Sequence, residues 1–218
     1  MISNRLKLIA SFVPVDSNVA DIGSDHGYLL IYLKDNFFSG KLLGVENKKG
    51  PFLSLKNNIS NKKYDSSIAM SLSDGLDDVD LTYDTIVLAG MGTDNIQRIL
   101  SKNSKKLNGI KTIIVDSHTK NDQLRIFLVK LGYKIDKEDI LFEDNVYYEI
   151  MRFVKGNSDY NYLDFYFGPL LRKNKSSIFI SKYNQELEKN MNIIDKIGND
   201  SSKKKEIQKK IDLIKEIL

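Results

Sequence analysis

The sequence predicts an α/β fold in which a seven-stranded, Rossmann-like sheet is followed by a C-terminal helical coiled-coil hairpin. Up to about residue 131, five apolar segments of strand length alternate with segments of helical periodicity, which indicates parallel strands joined by helices. Two β-rich segments then follow each other around a short polar turn and predict an antiparallel hairpin. Past residue 170, apolar residues recur every three or four positions, which is typical of two helices packed along a narrow seam.

Start and stop signals separate the predicted elements. A helix over 5–12 ends before Pro14, and Gly132 ends the last helix of the alternating part. The strands, including the two of the hairpin, are predicted at 19–22, 41–46, 67–71, 85–89, 111–115, 133–142 and 146–154. The intervening helices are predicted at about 28–38, 51–60, 93–100 and 122–131. The C-terminal helices are predicted at about 180–197 and 207–218, with a turn at 198–202.

The chain divides into two predicted domains, 1–156 and 157–218, because the strand–helix alternation stops near Gly156. The formal net charge is +4. Residues 157–218 carry 12 Lys and Arg against 9 Asp and Glu, so most of the basic excess lies in the second domain. A dense group of lysines there predicts a surface that contacts nucleic-acid phosphates: Lys203, Lys204, Lys205, Lys209 and Lys210.

The composition excludes several classes of function. No cysteine is present, which excludes disulfides, thiolate catalysis and cysteine-bound metals. With only two histidines, a metal site is not expected. The N-terminal apolar run is too short for a signal peptide, and no run of about 18 apolar residues could span a membrane. We therefore expect a cytoplasmic protein without a membrane partner.

Residues 18–30, NVADIGSDHGYLL, predict a strand, a glycine-bearing turn and a helix start, the usual cradle for a nucleotide-like ligand. The G-x-G-x-x-G pattern of dinucleotide enzymes is missing. Asp21 ends the strand and Asp25 follows Gly23 and Ser24, so two carboxylates would repel a pyrophosphate. The same carboxylates would attract S-adenosylmethionine (SAM), which carries an ammonium and a sulfonium. The alternative is an ordinary strand-to-helix turn with solvated acids.

Two further strand ends carry acids. Glu46 follows Asp21 by 25 residues, close to the interval at which an acid meets ribose hydroxyls in such folds. Asp74 and Gly75 follow the third strand, where a carboxylate can meet the amine of adenine. The alternative for Glu46 is a solvated acid at the end of a strand. Together these acids favour SAM as the cofactor.

The motifs SFVP, DIGSDHGYL, GVE, SDGL and LAGMG, with the C-terminal helical hairpin, resemble the bacterial tRNA (adenine-22-N1)-methyltransferase family. The resemblance implies a class I SAM-dependent methyltransferase domain and a coiled-coil appendage that helps to hold tRNA. The implied cofactor residues are Asp21, Gly23, Ser24, Asp25, Glu46, Asp74, Gly75, Ala89, Gly90 and Met91.

The resemblance also implies where the target base lies. The fourth-strand loop that ends in Gly92 would face it, and close passage of the backbone predicts that valine at Gly90 or Gly92 would abolish turnover. Apart from the resemblance, the chemistry leaves a cationic adenine that can lose a proton from N6, and by position Asp25 or His26 is the predicted catalytic residue that takes it. The chain departs from the family after the fifth strand, where residues 116–118 read Asp-Ser-His instead of a Gln-Pro-Asn-like segment.

The predicted activity is methyl transfer from SAM to N1 of adenine 22 in tRNA. Two alternatives stay open at this point: a SAM-dependent methyltransferase of small molecules, and a non-catalytic RNA-binding module. The first leaves the basic C-terminal helices without a role, and the second leaves the acidic strand ends unexplained. The helical pair could also serve only for dimerisation. The sequence leaves the oligomeric state open, with a monomer favoured.

Overall fold

A computed structural model describes residues 2–194, 196 and 201–218 of the chain. The strands are β1 (Val19–Ile22), β2 (Leu42–Glu46), β3 (Ile68–Leu72), β4 (Thr85–Met91), β5 (Thr112–Ser117), β6 (Tyr133–Glu143) and β7 (Val146–Lys155). They form one sheet in the order β3-β2-β1-β4-β5-β7-β6. The first five strands are parallel, while β7 pairs antiparallel with both β5 and β6. The predicted seven-stranded Rossmann-like fold is confirmed.

The helices are α1 (Asn4–Phe12), α2 (Tyr28–Asp35), α3 (Lys49–Asn61), α4 (Thr93–Lys102), α5 (Asn121–Lys130), α6 (Tyr162–Phe167), α7 (Leu171–Asn174), α8 (Ser177–Ile194) and α9 (Ser201–Ile217). The sequence did not predict α6 and α7, and α9 begins at Ser201, where a turn through residue 202 was predicted. Helix α3 begins two residues before Pro51, and β4 runs two residues beyond the predicted end, through a register shift between Ala89 and Met91. None of the described helices is long and apolar enough to cross a membrane.

Apolar clusters cover both faces of the sheet, which explains why its central strands are almost continuously apolar. On β4, Ile86 and Leu88 pack into one cluster, and Val87, between them, packs into the other. All three are fully buried. Because both faces are covered, polar ligands can reach the central strands only at their ends. The carboxyl ends of β1, β2 and β4 therefore carry the candidate site.

The C-terminal helices pack against the hairpin strands through a third apolar cluster, formed by Ile140, Phe167, Leu171, Phe179, Tyr183, Ile214 and Ile217. The predicted domain boundary at residue 156 follows directly on β7, but the helices beyond it share this cluster with β6. Of the predicted helix end and turn, residues 195 and 197–200 lie outside the described residues. The predicted seam position Leu218 is 39% exposed, and Ile217, 6% exposed, is buried instead.

A buried group of charges joins these helices to the sheet. Arg125 on α5 is fully buried and pairs with Glu138 on β6 at 2.9 Å and with Glu149 on β7 at 2.7 Å. Lys182 on α8 forms a short ion pair with Glu149. Burial alone would raise the pKa of Glu149, but Lys182 and Arg125 together lower it. Removing one partner from such a group costs about 3–5 kcal/mol, so the charges fix how α8 docks.

Candidate active site and nucleic-acid interface

A cavity of about 270 Å³ opens at the carboxyl ends of β1 and β4, beside the start of α2. Its walls come from the β1–α2 turn, from α1, from the end of β4 and from the residue after β5. The predicted residues that line it are Asp21, Gly23, Ser24, Asp25, His26, Ala89 and Gly90. The structure therefore gathers most of the predicted cofactor residues at one opening.

The base of this cavity carries a carboxylate and a hydroxyl that are both buried. Burial raises the pKa of Asp21 to about 7; the nearby Ser24 side chain opposes this rise, and the charge of Glu46 adds to it as a smaller contribution. The Ser24 Oγ is buried without a hydrogen-bond partner among the described residues. A polar ligand that carries a cation would satisfy both groups, since it supplies the charge and the hydrogen bond they lack. The site thus fits SAM.

Glu46 at the end of β2 is buried and binds backbone N–H groups. Its Oε1 accepts from Asn47 at 3.0 Å and from Lys48 at 3.2 Å, and its Oε2 accepts from Asp25 at 3.3 Å. Asp25 has a left-handed backbone, with φ of 49°. Glu46 therefore ties the β1–α2 turn to the β2–α3 turn, and the alternative of a solvated acid does not describe it.

A second cavity of about 60 Å³ lies on the other side of Gly23, and Asp74, Gly75 and Met91 line it. The two oxygens of Asp74 accept from Arg98 at 3.0 Å each, and Lys102 adds a third hydrogen bond at 3.2 Å. These bonds hold the pKa of Asp74 below its ordinary value. An adenine amine at this position would donate to the same Asp74 carboxylate that already accepts hydrogen bonds from Arg98.

Two glycines at these cavities, Gly23 and Gly90, have a left-handed backbone that disfavours any side chain. Gly23, which lines both cavities, has φ of 75°, and a Cβ there would lie 3.0 Å from the Met91 Cε in the wall of the smaller cavity. Gly90 has φ of 72°, and a Cβ there would lie 2.7 Å from the Arg5 Nη2. Gly92 differs, because its φ is −74° and a Cβ would meet only Thr119, at 3.7 Å. The structure therefore agrees with the prediction that Gly90 has no room for a side chain. At Gly92, by contrast, there is room for one.

The site contains one charged pair that the sequence did not predict, between Arg5 and Asp116. The Arg5 Nε on α1 donates to the Asp116 Oδ2 on β5 at 2.6 Å, across 111 residues of sequence. Burial raises the pKa of Asp116 and the Arg5 guanidinium opposes that rise. An acid at the end of a fifth strand was the available signal, and no local pattern pointed to Arg5.

A larger groove of about 650 Å³ begins where the cavity ends. His118 lines both, and the groove continues past Tyr162 and Tyr166 to Lys209 and Lys210 on α9. Tyr162 is 53% exposed, and the Lys209 Nζ lies 5.0 Å from its ring centre. The remaining predicted lysines, Lys203, Lys204 and Lys205, are exposed on the first turns of α9. Acids also line the groove: Asp122, Glu149, Glu186 and Glu206, of which Glu206 pairs with Lys210 at 2.7 Å. The exposed aromatic ring beside Lys209, with the lysines of the first turns of α9, is the part suited to binding nucleic acid by stacking and by phosphate contact.

Comparison with known proteins decides the family. Residues 19–216 match the family model described as tRNA (adenine(22)-N(1))-methyltransferase. The chain belongs to this family. The Bacillus subtilis (strain 168) tRNA (adenine(22)-N(1))-methyltransferase is 32% identical over 230 residues, which cover 100% of this chain and 97% of that protein.

Solved structures agree with the family and with the predicted cofactor. A Streptococcus pneumoniae protein crystallised with S-adenosyl-L-methionine superposes with a TM-score of 0.93 at 34% identity, over 100% of both chains. The structure of M. capricolum TrmK in complex with S-adenosyl-homocysteine superposes with a TM-score of 0.89 at 29% identity, over 99% of this chain and 97% of that one. The predictions of the tRNA (adenine(22)-N(1))-methyltransferase family, of the enzyme class and of SAM are confirmed.

The raised pKa of Asp21 leads to a testable expectation about SAM binding. Below pH 7 the folded protein keeps Asp21 neutral, so a cation of SAM that binds at Asp21 would have to displace its proton. We expect the affinity to rise with pH by up to about tenfold per unit below pH 7 and then to level off. Isothermal titration calorimetry between pH 6 and 7.5 measures this rise.

The Asp21→Asn variant is the control for this dependence, because asparagine mimics the neutral carboxyl. Its SAM affinity should be low and should vary little over the same range, although Glu46, Asp25 and His26 remain. The apo protein should also lose stability as the pH rises from about 4 to 7, since only the unfolded chain ionises Asp21 in that window. An equal pH dependence in both proteins would show that Asp21 is not the titrating group.

Proposed function

We propose that this protein transfers the methyl group of SAM to N1 of adenine 22 in tRNA. One observation supports this most directly: the acid-lined cavity at the strand ends continues, through His118, into the lysine-bearing groove of the C-terminal helices. A small-molecule enzyme would not need the groove, and a passive RNA-binding module would not need the buried acids. Family membership also favours the tRNA enzyme over both alternatives.

The cofactor residues of this proposal line the two cavities, except for Glu46, which lines neither and lies beside Asp25. In the larger one, the carboxylates of Asp21 and Asp25 would bind the cationic part of SAM, with Ser24 as a hydrogen-bond partner. In the smaller one, Asp74 and Gly75 would border the adenine of SAM. Glu46, near Gly23 and Asp25, would accept from the ribose hydroxyls. Ala89, Gly90 and Met91 form the wall between the cofactor and the target base.

The chemistry asks for positioning more than for a base. SAM, when bound, supplies an electrophilic methyl carbon on sulfur, and the N1–C bond forms as the S–C bond breaks. Adenine N1 already has a free lone pair near neutral pH, so no residue has to activate it. Holding the reacting atoms in line can contribute about 7–11 kcal/mol. The target adenine must leave its own contacts to present N1, as in base flipping.

Methylation moves the positive charge of the sulfonium onto the adenine ring, and two side chains near the cavity are placed to offset that charge and to accept a proton that N6 loses. The Asp25 and His26 side chains are 63% and 45% exposed, and the His26 Nε2 lies 3.6 Å from the Asp25 Oδ2. The His26 ring also stacks on Tyr28 at 5.3 Å. In this proposal the pair passes the proton to solvent, since both side chains reach water.

The tRNA interface of the proposal runs from the cavity along the groove. Gly92 borders the target base, and the rings of Tyr162 and Tyr166, stacked with centres 6.1 Å apart, offer a surface for an unstacked base. Lys209 and Lys210 line the groove, and Lys203, Lys204 and Lys205 extend the basic surface along α9. Contacts of this kind position the RNA without reading its sequence.

An assay with radiolabelled SAM tests the activity directly. A tRNA transcript that carries adenine 22 should accept label, and digestion to nucleosides should yield 1-methyladenosine. The matched transcript with guanine at position 22 should accept none. Label found in small molecules but not in the first transcript would contradict the proposal, as would equal label in the two transcripts.

A further inference from the structure

The first helix places a cation in the wall of the acid-lined cavity. Arg5 on α1 lines the cavity together with Asp21 and Asp25, and its side chain is 23% exposed. Among the described residues that line this cavity, Arg5 is the one with a permanent positive charge. A phosphate entering a cavity lined with carboxylates would be repelled unless a cation offset them. Arg5 is placed to do so.

The guanidinium of Arg5 is held on one side and open on the other. Its Nε donates to the Asp116 Oδ2 at 2.6 Å, and its Cζ lies 5.1 Å from the centre of the Tyr148 ring. In the part of the chain that the structure describes, neither Nη atom donates a hydrogen bond. The Nη2 lies beside Gly90, at the wall that faces the target base. The two Nη atoms of the planar guanidinium therefore remain available to donate hydrogen bonds to a ligand.

The backbone of α1 is fixed where it carries Arg5. Glu143, at the end of β6, accepts from the Asn4 N–H at 2.8 Å and from the Arg5 N–H at 3.1 Å. The Asp116 side chain is fully buried, so Arg5 is its compensating charge. This arrangement orients the guanidinium before any ligand arrives, which lowers the entropic cost of binding.

We propose that Arg5 binds a phosphate of the tRNA backbone next to the target adenine through its two Nη atoms. Asp116 is then a positioning residue that acts through Arg5. This inference rests on the proposed function and gives the cofactor cavity its own contact with the tRNA. It also gives a role to Asp116, which lies at the end of β5 in the segment 116–118 where the sequence departs from the family pattern.

The Arg5→Gln variant tests this contact. The KM for tRNA should rise about tenfold, while the affinity for SAM should stay within about twofold of the unchanged protein. The slope of log binding constant against log salt should fall by up to about 0.9, the amount that corresponds to one neutralised phosphate. Filter binding at several salt concentrations and steady-state methylation measure these quantities.

Arg152→Gln is the matched control. Arg152 is 22% exposed, pairs with Asp136 at 2.7 Å and donates to the Phe12 carbonyl at the end of α1, but it does not line the cavity. Its replacement should lower stability without changing the salt slope. If Arg5→Gln changes tRNA binding and the salt slope no more than Arg152→Gln does, the inference is wrong.

The double variant Arg5→Gln/Asp116→Asn separates binding from folding. It replaces a charged pair by a neutral one, so it should regain the thermal stability that Arg5→Gln loses. The tRNA affinity and the salt slope should nevertheless stay low. Recovery of tRNA binding together with stability would show a purely structural pair. If the unchanged protein does not methylate tRNA at all, the proposed function fails instead, and the two failures are thereby distinguished.

Discussion

Replacing Gly90 by valine should lower the turnover number by about a hundredfold or more while the sheet still forms. The left-handed backbone at Gly90 disfavours any side chain, and a Cβ would lie only 2.7 Å from the Arg5 Nη2. The end of β4 would therefore shift, and a displacement of about 1 Å at the reacting atoms can cost about a hundredfold in rate. Steady-state methylation of tRNA, with circular dichroism for the fold, measures the effect.

Two other glycines serve as comparisons for Gly90. Gly50 on α3 has no atom within 4 Å of where a Cβ would stand, so Gly50→Ala should behave like the unchanged protein. Gly92→Ala should keep its fold and SAM affinity, because Gly92 has an ordinary backbone and room for a methyl group. Any decrease of turnover in Gly92→Ala would then report contact with tRNA. Full activity in Gly90→Val would remove the end of β4 from the active centre.

Replacing three exposed lysines of α9 by glutamine should weaken tRNA binding and reduce its salt dependence. Lys204, Lys205 and Lys209 are exposed along one helix, and Lys209 lies at the groove. The slope of log binding constant against log salt should fall by up to about 0.9 for each phosphate that is no longer neutralised. The SAM affinity should not change, since these lysines line neither cavity at the strand ends. Filter binding across a salt series and calorimetry with SAM measure the two quantities.

An equal reduction of charge elsewhere controls for the change in net charge. Lys56, Lys62 and Lys63 are exposed on α3 and just after it, beside the β3 end of the sheet, whereas α9 packs near the β6 end. Their triple glutamine variant should keep the original salt slope. If the two triple variants weaken tRNA binding equally, α9 has no special place in the interface. A shift to lower molecular mass with an unchanged slope would instead support a dimerisation role.

Substitution is a sharper experiment here than removal of the C-terminal helices. Deleting residues past 156 would remove Lys182 from Glu149 and uncover the apolar surface around Ile140. A truncated chain would therefore lose stability as well as its lysines, and a loss of SAM binding could not be assigned to either cause.

The sheet and the cofactor side of the site follow from local sequence. Asp21 and Glu46 end apolar strands, and parallel strands in a doubly wound sheet bring such ends to one edge, so spacing alone gathers them. The same reasoning placed Asp74 at that edge, but it could not reveal Arg98, whose guanidinium occupies both carboxylate oxygens. That pairing depends on which side of α4 faces the loop after β3, and local patterns do not fix this.

The remaining parts of the site depend on contacts between distant segments. Arg5 looks like an ordinary polar position on an amphipathic helix, and only its docking against β5 turns it toward Asp116. Arg125 likewise lies in a short amphipathic helix, where an arginine normally faces water. It is buried because Glu138 and Glu149 come to it from two strands of the hairpin. Such pairs are set by tertiary packing, which periodicity does not encode.

The contacts of α1 determine when the active site can be completed during synthesis of the chain. Helix α1 is made before every strand, yet its partners are among the last parts of the sheet: Asn4 binds Glu143 across 139 residues, and the Phe12 carbonyl binds Arg152 across 140. At about 5–20 residues per second, those 140 residues take the ribosome roughly 7–28 s. During that interval α1 can pack only on the elements made before β6, such as the strands of Val19, Val87 and Ile114 that share its apolar cluster. Arg5 reaches its place only after the β6–β7 hairpin has been translated.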